Sequence, residues 1–175
     1  MIRPYPPTLE DIPISNKNPS FIDLLQSPTL LLAFGFGSGL APKAPGTFGT
    51  VAAIPLWLLL CQLPLSLYWA VVAISAIAGI YICGRASSKL GVHDHSGIVW
   101  DEFVGLWIAL AFIEPQLTSI IVGFLLFRLF DILKPWPISW LDKQVGAGIG
   151  IMIDDIVAGF FAAIGLVVIS NLGFL

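Results

Sequence analysis

The stretch "GIMIDDIVAGFFAAIGLVVIS" (150–170) places two adjacent carboxylates at the start of a long apolar run. After Asp154 and Asp155, no charged residue occurs before the C-terminus. An apolar segment of this length predicts a helix that crosses a membrane, which we expect over Asp154–Ser170. Two carboxylates at the edge of such a helix repel each other unless a cation binds them. The segment therefore predicts a membrane-embedded fold and a cation site at its rim.

The composition of the whole chain supports a membrane protein. Of its 175 residues, 57% are hydrophobic and 11% are charged, whereas soluble domains carry about 25% charged residues. The length suits one domain, so we expect an irregular, proline-rich N-terminal arm over 1–20 and a single helical domain over 21–175. The chain has no basic tract for nucleic-acid binding, and no feature indicates a protein partner. Cys61 and Cys83 lack the spacing of a metal or disulfide motif.

Charge-free runs separated by prolines and turns predict an all-α fold, a compact helical bundle that crosses the membrane several times. We expect four to five apolar helices, and a further helix of mixed polarity at the interface. Several of these segments are shorter than the roughly 20 residues that cross a bilayer, which leaves open a bundle that is only partly immersed. The expected helices cover Gly49–Gln62, Ser66–Gly84, Trp100–Ile113, Leu117–Phe130 and Asp154–Ser170, with the mixed one at Phe21–Phe36.

The charges are distributed unequally over this topology. All eight Lys and Arg residues fall on one side of the predicted bundle, and of the eleven acids only Glu114 falls on the other. Because loops rich in Lys and Arg stay in the cytoplasm, the charged side is predicted to be cytoplasmic.

Five carboxylates on the charged side form the candidate metal site. Two adjacent pairs are each predicted to open a helix, and a fifth acid is predicted to close one. The helix dipole explains one acid per N-terminus, but neither a pair nor an acid at a C-terminus. Carboxylates about 4 Å apart repel by about 4 kcal/mol at an effective dielectric near 20, and oxygen ligands suit Mg²⁺ or Mn²⁺. The predicted ligands are Asp101, Glu102, Asp131, Asp154 and Asp155, with independent helix caps and ion pairs as the alternative.

Cations and a glycine-rich loop on the same side form a candidate phosphate site. The spacing of Arg128, Asp131 and Lys134 by three predicts one helix stripe, either salt bridges or a metal carboxylate between two phosphate-binding cations. The loop "GSGLAPKAPGTFGT" (37–50) can turn backbone N–H groups toward an anion. His93 and His95 have no third ligand for zinc, and each is either a proton donor or phosphate contact, or a solvated loop residue. The predicted phosphate-binding residues are Ser38, Lys43, Thr47, Arg128 and Lys134.

Four blocks of this sequence resemble, in order and spacing, the bacterial phosphatidylglycerophosphatase A family. The resemblance covers about 28–172 and implies a Mg²⁺-dependent, all-α lipid phosphatase of the inner membrane. Together with the apolar runs and the charge distribution, this predicts a multi-pass protein with its active site facing the cytoplasm. Its substrate would be phosphatidylglycerophosphate, hydrolysed to phosphatidylglycerol and inorganic phosphate in phospholipid biosynthesis. The blocks are "GFGSGLAPKAPGTFGT" (35–50), "GVHDHSGIVWDEFVG" (91–105), "FRLFDILKPWPISWLD" (127–142) and "GIMIDDIVAG" (150–159).

The roles within the site are our own predictions. We expect Asp101, Asp131 and Asp155 to be catalytic, with His93 or His95 aiding proton transfer and with either water or an aspartate as nucleophile. One alternative is a phosphatase of the same family that acts on another or a water-soluble phosphomonoester. The other is a small, non-enzymatic membrane transporter subunit, which would place charges near the middle of its spans.

Overall fold

The computed structural model describes residues 18–92, 95–140 and 147–175, and every regular element in these ranges is helical. The all-α prediction is therefore confirmed for this part of the chain, whereas residues 1–17 of the predicted arm lie outside it. The elements are α1 (Phe21–Leu25), α2 (Pro28–Ala33), a 3-10 helix (Gly35–Leu40), α3 (Pro45–Leu60), α4 (Leu65–Leu90), α5 (Trp100–Ala109), α6 (Leu117–Leu133) and α7 (Ala147–Asn171).

Two helices in the described ranges are long and apolar enough to cross a membrane. They are Leu65–Leu90 and Gly148–Asn171, with mean hydropathies of 2.0 and 2.2. The helix Pro45–Leu60 is apolar but shorter. We expected four to five spanning helices, and only two helices in the described ranges are long and apolar enough to cross a membrane.

Helix α5 forms the centre of the bundle. All ten of its residues are buried, and α3, α4, α6 and α7 pack around it. A helix that is apolar on every side is typically buried rather than exposed on one face. Its indole groups anchor it to the neighbouring backbones, since Trp107 Nε1 donates to the Ala53 carbonyl at 3.1 Å and Trp100 Nε1 to that of Ser75 at 3.1 Å. This packing fixes the N-terminus of α5, and the acids on it, at one end of the bundle.

Helix α7 begins earlier than the sequence predicted. It starts at Ala147, so Asp154 and Asp155 lie in its second and third turns, and the prediction that they open a helix is wrong. Glycine is required at 148 because α7 approaches α4 backbone to backbone there. A Cβ atom on Gly148 would collide with the Ile80 carbonyl oxygen and would lie 2.8 Å from the Gly84 nitrogen. At 1.5 Å per residue, the acids sit about 10 Å along the helix.

The predicted helix Phe21–Phe36 is also wrong, because proline and glycine divide it. Pro28 begins α2, and proline disfavours a helical conformation in the residue before it. Gly35 and Gly37 then have φ values of 52° and 102°, which end α2 and turn the chain toward α3.

The other boundaries shift by a few residues. Helix α4 continues past Gly84 to Leu90 and ends at Gly91, whose φ is 65°. Helix α3 begins at Pro45, a residue that suits the first helical position. Helix α5 stops at Ala109 instead of Ile113, and α6 runs three residues past Phe130 to Leu133. Consecutive long helices run in opposite directions, so the starts of α3, α5 and α7 and the ends of α4 and α6 share one end of the bundle.

Candidate active site

A cavity of about 630 Å³ opens at this end of the bundle. Its walls are the start of α3, the first turn of α5, the last turns of α6 and the early turns of α7. Five predicted metal ligands and two predicted phosphate-binding cations line it together. They are Asp101, Glu102, Asp131, Asp154 and Asp155, with Arg128 and Lys134.

Three of the five carboxylates converge on one point. Asp101 and Glu102 come from the first turn of α5 and Asp155 from α7, and one oxygen of each lies within 4.8 Å of the others. One buried oxygen on each residue accepts no hydrogen bond within the described ranges: Asp101 Oδ1, Glu102 Oε2 and Asp155 Oδ2. A buried carboxylate oxygen without a partner is costly. The three residues, which we call the carboxylate cluster, therefore fit a divalent cation with oxygen ligands.

Burial and mutual repulsion disfavour the ionised forms of the cluster's carboxyl groups when no cation is bound. Burial raises the pKa of Asp101 well above its usual value, and the neighbouring Glu102 raises it further. Burial, reinforced by the charge of Asp155, raises the pKa of Glu102 to about 8. A bound cation reverses this balance because it stabilises the ionised form.

Asp131 and Arg128 form the second part of the site. Arg128 Nη1 lies 2.6 Å from Asp131 Oδ2 and 3.6 Å from Glu102 Oε1, and 3.5 Å from the hydroxyl of buried Thr50. Thr50 in turn donates to the Gly46 carbonyl at 2.8 Å. The guanidinium group is thus held between the carboxylate cluster and Asp131, where it can bind an anion in the cavity.

Lys134 and Asp154 form the third part. Lys134 follows the last turn of α6 with a left-handed φ of 42°, and its Nζ lies 2.5 Å from Asp154 Oδ2. The other oxygen of Asp154 accepts the Asp155 N–H at 3.1 Å. Asp154 therefore orients Lys134 and the backbone of Asp155, and it stands outside the three-residue cluster. The predicted stripe of Arg128, Asp131 and Lys134 therefore does not act as one unit. Arg128 pairs with Asp131 within α6, whereas Lys134 pairs with Asp154 of α7.

The remaining predicted residues lie around the cavity rather than in it. Ser38 donates to the Gly35 carbonyl at 2.9 Å and supports the 3-10 turn. Lys43 is exposed and Thr47 is half-buried on the loop and first turn of α3. His95 lines a neighbouring cavity of about 380 Å³. His93 lies outside the described residues.

The sequence reasoning missed the small residues that make room for the site. Gly46 lines the cavity, and a Cβ atom there would collide with Glu102 Oε1 and lie 3.1 Å from both terminal nitrogens of Arg128. Thr50 is fully buried against the same arginine. The signal was the repeat of small residues on one face of α3, at Gly46, Gly49, Thr50 and Ala53; it was missed because Gly46 was assigned to the loop before the helix.

An oxygen-only cluster next to an arginine and a lysine, at one end of an all-helical bundle, is the kind of site found in enzymes that act on phosphate esters. The sequence profile of the family described as "Phosphatidylglycerophosphatase A" matches residues 31–170. The chain belongs to the phosphatidylglycerophosphatase A family, and it is a phosphatase.

Three relatives have been compared with the chain. The "Phosphatidylglycerophosphatase A" of Escherichia coli K12 is 51% identical over 140 residues, which cover 79% of this chain and 81% of the relative. That of Haemophilus influenzae is 46% identical over 154 residues, or 86% and 94% of the two chains. A "Putative phosphatidylinositol-3-phosphatase" of Bacteroides thetaiotaomicron is 38% identical over 156 residues, or 85% and 93%. No solved structure matches the chain significantly.

Proposed function

We propose that this protein hydrolyses the phosphomonoester of phosphatidylglycerophosphate in a Mg²⁺-dependent reaction, releasing phosphatidylglycerol and inorganic phosphate. The substrate is suggested by the names of two relatives that cover most of the chain. The cation is suggested by one observation above all. Three carboxylates converge, and each of them has a buried oxygen without a hydrogen-bond donor in the described part of the chain.

In this proposal, Asp101, Glu102 and Asp155 hold the Mg²⁺ ion. The all-oxygen donor set and the acidic charge favour a hard divalent cation over zinc. When bound, the ion would neutralise the phosphate and polarise its phosphorus–oxygen bonds.

The residues around the cluster bind and orient the terminal phosphate. Arg128, fixed by Asp131, and Lys134, fixed by Asp154, offer N–H groups to its oxygens from two sides of the cavity. The N-terminal turn of α3 lines the same cavity at Ala44 and Gly46, and the positive end of its dipole favours an anion. The reaction breaks the bond between phosphorus and the glycerol oxygen. One water molecule supplies the oxygen of the released phosphate and the proton of the new hydroxyl group.

We also propose that the protein is a multi-pass protein of the bacterial inner membrane with this site on the cytoplasmic side. The described cations Lys43, Arg85 and Lys89 lie at the same end as the cavity, and Glu114 lies at the opposite end. This distribution follows the positive-inside rule. Carbonate extraction tests insertion, and release of the protein into the supernatant would contradict it. Thiol labelling of a cysteine at Lys89 or Glu114, after replacement of Cys61 and Cys83, tests the orientation.

The decisive experiment is phosphate release from phosphatidylglycerophosphate in detergent micelles. Wild type should release phosphate with Mg²⁺ and none with EDTA. Asp155→Asn, which removes one cluster charge at nearly constant volume, should reduce kcat/KM at least about a hundredfold, or about 2.7 kcal/mol. Near-full activity of Asp155→Asn would refute the metal site. The third relative's name makes phosphatidylinositol 3-phosphate the comparison substrate, and preferential hydrolysis of that lipid would refute the proposed specificity.

A further inference from the structure

The walls of the active-site cavity suit a phosphate group but not acyl chains. They carry the carboxylate cluster, Arg128 and Lys134, and the apolar side chains of Ile98 and Ile151 in the same lining are buried. Among the described residues that line the cavity, Ile132 is the one large apolar side chain that is also exposed, at 66%. Ile132 therefore lies where the charged cavity meets the apolar outer surface of the bundle.

An exposed apolar stripe on α6 continues from Ile132. Ile121 and Leu125 are 49% and 58% exposed, and at 3.6 residues per turn these two positions and Ile132 fall within about 40° of one another around the helix. We call these three residues the α6 stripe. Arg128 lies on the same face, since it follows Leu125 by three residues and precedes Ile132 by four. One face of α6 thus carries a cation of the site together with a continuous apolar surface.

The α6 stripe extends away from the cavity toward the opposite end of the bundle. Leu125 lies seven residues before Ile132, or about 10 Å along the helix. At the other end of the stripe, Trp136 and Trp140 follow α6 and are the exposed tryptophans of the described chain, at 79% and 55%. Tryptophan favours the headgroup level of a bilayer. In the proposed orientation, the cavity would then lie level with the headgroups and the stripe among the acyl chains.

A lipid bound through its phosphate must keep its chains on an apolar surface, because each methylene group left in water is unfavourable. We infer that the α6 stripe binds the acyl chains of the same lipid whose terminal phosphate occupies the cavity, with Ile132 at the point where the chains leave the headgroup. This inference rests on the proposed function. The substrate then enters laterally from the cytoplasmic leaflet, and its phosphate reaches Arg128 along one face of α6.

Ile132 and Leu125 are thus specificity-determining residues, and neither takes part in the chemical step. They favour a diacyl lipid over the same phosphate on a water-soluble carrier. Two probes separate binding of the chains from binding of the headgroup: dioleoyl phosphatidylglycerophosphate in mixed micelles as substrate, and its deacylated headgroup, glycerophosphoglycerophosphate, as competitor. Phosphate release from the lipid gives kcat, KM as a mole fraction, and the inhibition constant of the headgroup.

Replacement of the α6 stripe by a polar amide should weaken binding of the lipid alone. In Ile132→Gln and in Leu125→Gln, the KM of the dioleoyl lipid should rise about tenfold, because apolar contact with the chains is lost. Both kcat and the inhibition constant of the deacylated headgroup should change less than about twofold. Ile132→Leu, which stays apolar, should keep the wild-type KM.

Ile74→Gln is the matched control. Ile74 is also 66% exposed, but it belongs to α4, which packs against α2, α5 and α7, and it does not line the cavity. Its KM should stay at the wild-type value. An unchanged KM in Ile132→Gln or Leu125→Gln would overturn the inference, and so would an equal rise in KM and in the inhibition constant, or an equal effect of Ile74→Gln. If wild type releases no phosphate from the dioleoyl lipid, the proposed function itself fails.

Discussion

A single methyl group at Gly46 should disable the site while leaving the fold intact. The Cβ atom of alanine would collide with Glu102 Oε1 and press on both terminal nitrogens of Arg128 at 3.1 Å. To restore van der Waals contact, the Glu102 carboxylate must move by roughly 1 Å, and a displacement of that size can reduce the rate about a hundredfold. We therefore expect Gly46→Ala to lower kcat/KM by about ten- to a hundredfold, or about 1.4–2.7 kcal/mol.

The same change should not lower the stability of the protein. Gly46 lies in the first turn of α3, where alanine is better than glycine by up to about 1 kcal/mol. Gly165→Ala is the matched control, since its nearest neighbour is the flexible Leu126 side chain at 3.4 Å. Both variants would be compared by phosphate release, by Mg²⁺ titration of activity and by thermal unfolding in detergent. Full activity of Gly46→Ala, with unchanged Mg²⁺ dependence, would refute the assignment of Glu102 to the cation site.

Three further outcomes follow from the same geometry. Because the pKa of Glu102 is raised to about 8, protons compete with Mg²⁺ below that pH. The half-saturating Mg²⁺ concentration should therefore fall about tenfold or more from pH 6 to pH 8. A half-saturating concentration that does not change with pH would contradict this. Asp154→Asn and Lys134→Met should each reduce activity, and a double-mutant cycle should give a coupling energy of about 1–3 kcal/mol; additive effects would show that the pair at 2.5 Å is incidental. Gly148→Leu should destabilise the protein by about 3 kcal/mol or more in denaturant titration, whereas Gly165→Leu should cost much less, because only Leu126 lies nearby.

The sequence was sufficient to locate the acids and the helical class. Apolar runs bounded by prolines predicted an all-α chain, and Asp101 and Glu102 do lie in the first turn of a helix. The spacing of Arg128 and Asp131 predicted that they share one helix stripe, and the salt bridge that was one of its two interpretations is present. These features depend on local patterns, and such patterns can be read without knowledge of the tertiary structure.

The rest depended on contacts between helices that are distant in sequence. The predicted helix began at Asp154, but α7 already includes Gly148, where the Ile80 carbonyl of α4 occupies the space of a side chain. The pairing of Lys134 with Asp154 joins two helices across 20 residues, and spacing along α6 could only suggest Asp131. Of the five predicted ligands, three converge. The two that do not are each paired with a cation: Asp131 with Arg128 one turn away on α6, and Asp154 with Lys134 from the end of the neighbouring helix.

The burial of α5 has a consequence for how the enzyme responds to its lipid surroundings. Bilayers differ in thickness by several ångströms, and long apolar helices adjust to this mismatch by tilting. In a bilayer such a strain would act on α4 and α7, the two helices long enough to span it, whereas all residues of α5 are buried. Helix α7 also carries Asp155, but it packs closely on α5: a Cβ atom on Gly159 would collide with the Gly105 carbonyl oxygen, and one on Gly105 would lie 2.8 Å from the Asp155 carbonyl oxygen. The two halves of the carboxylate cluster are thus joined through main-chain contacts, and they should tilt together as one rigid body in thin and thick membranes alike.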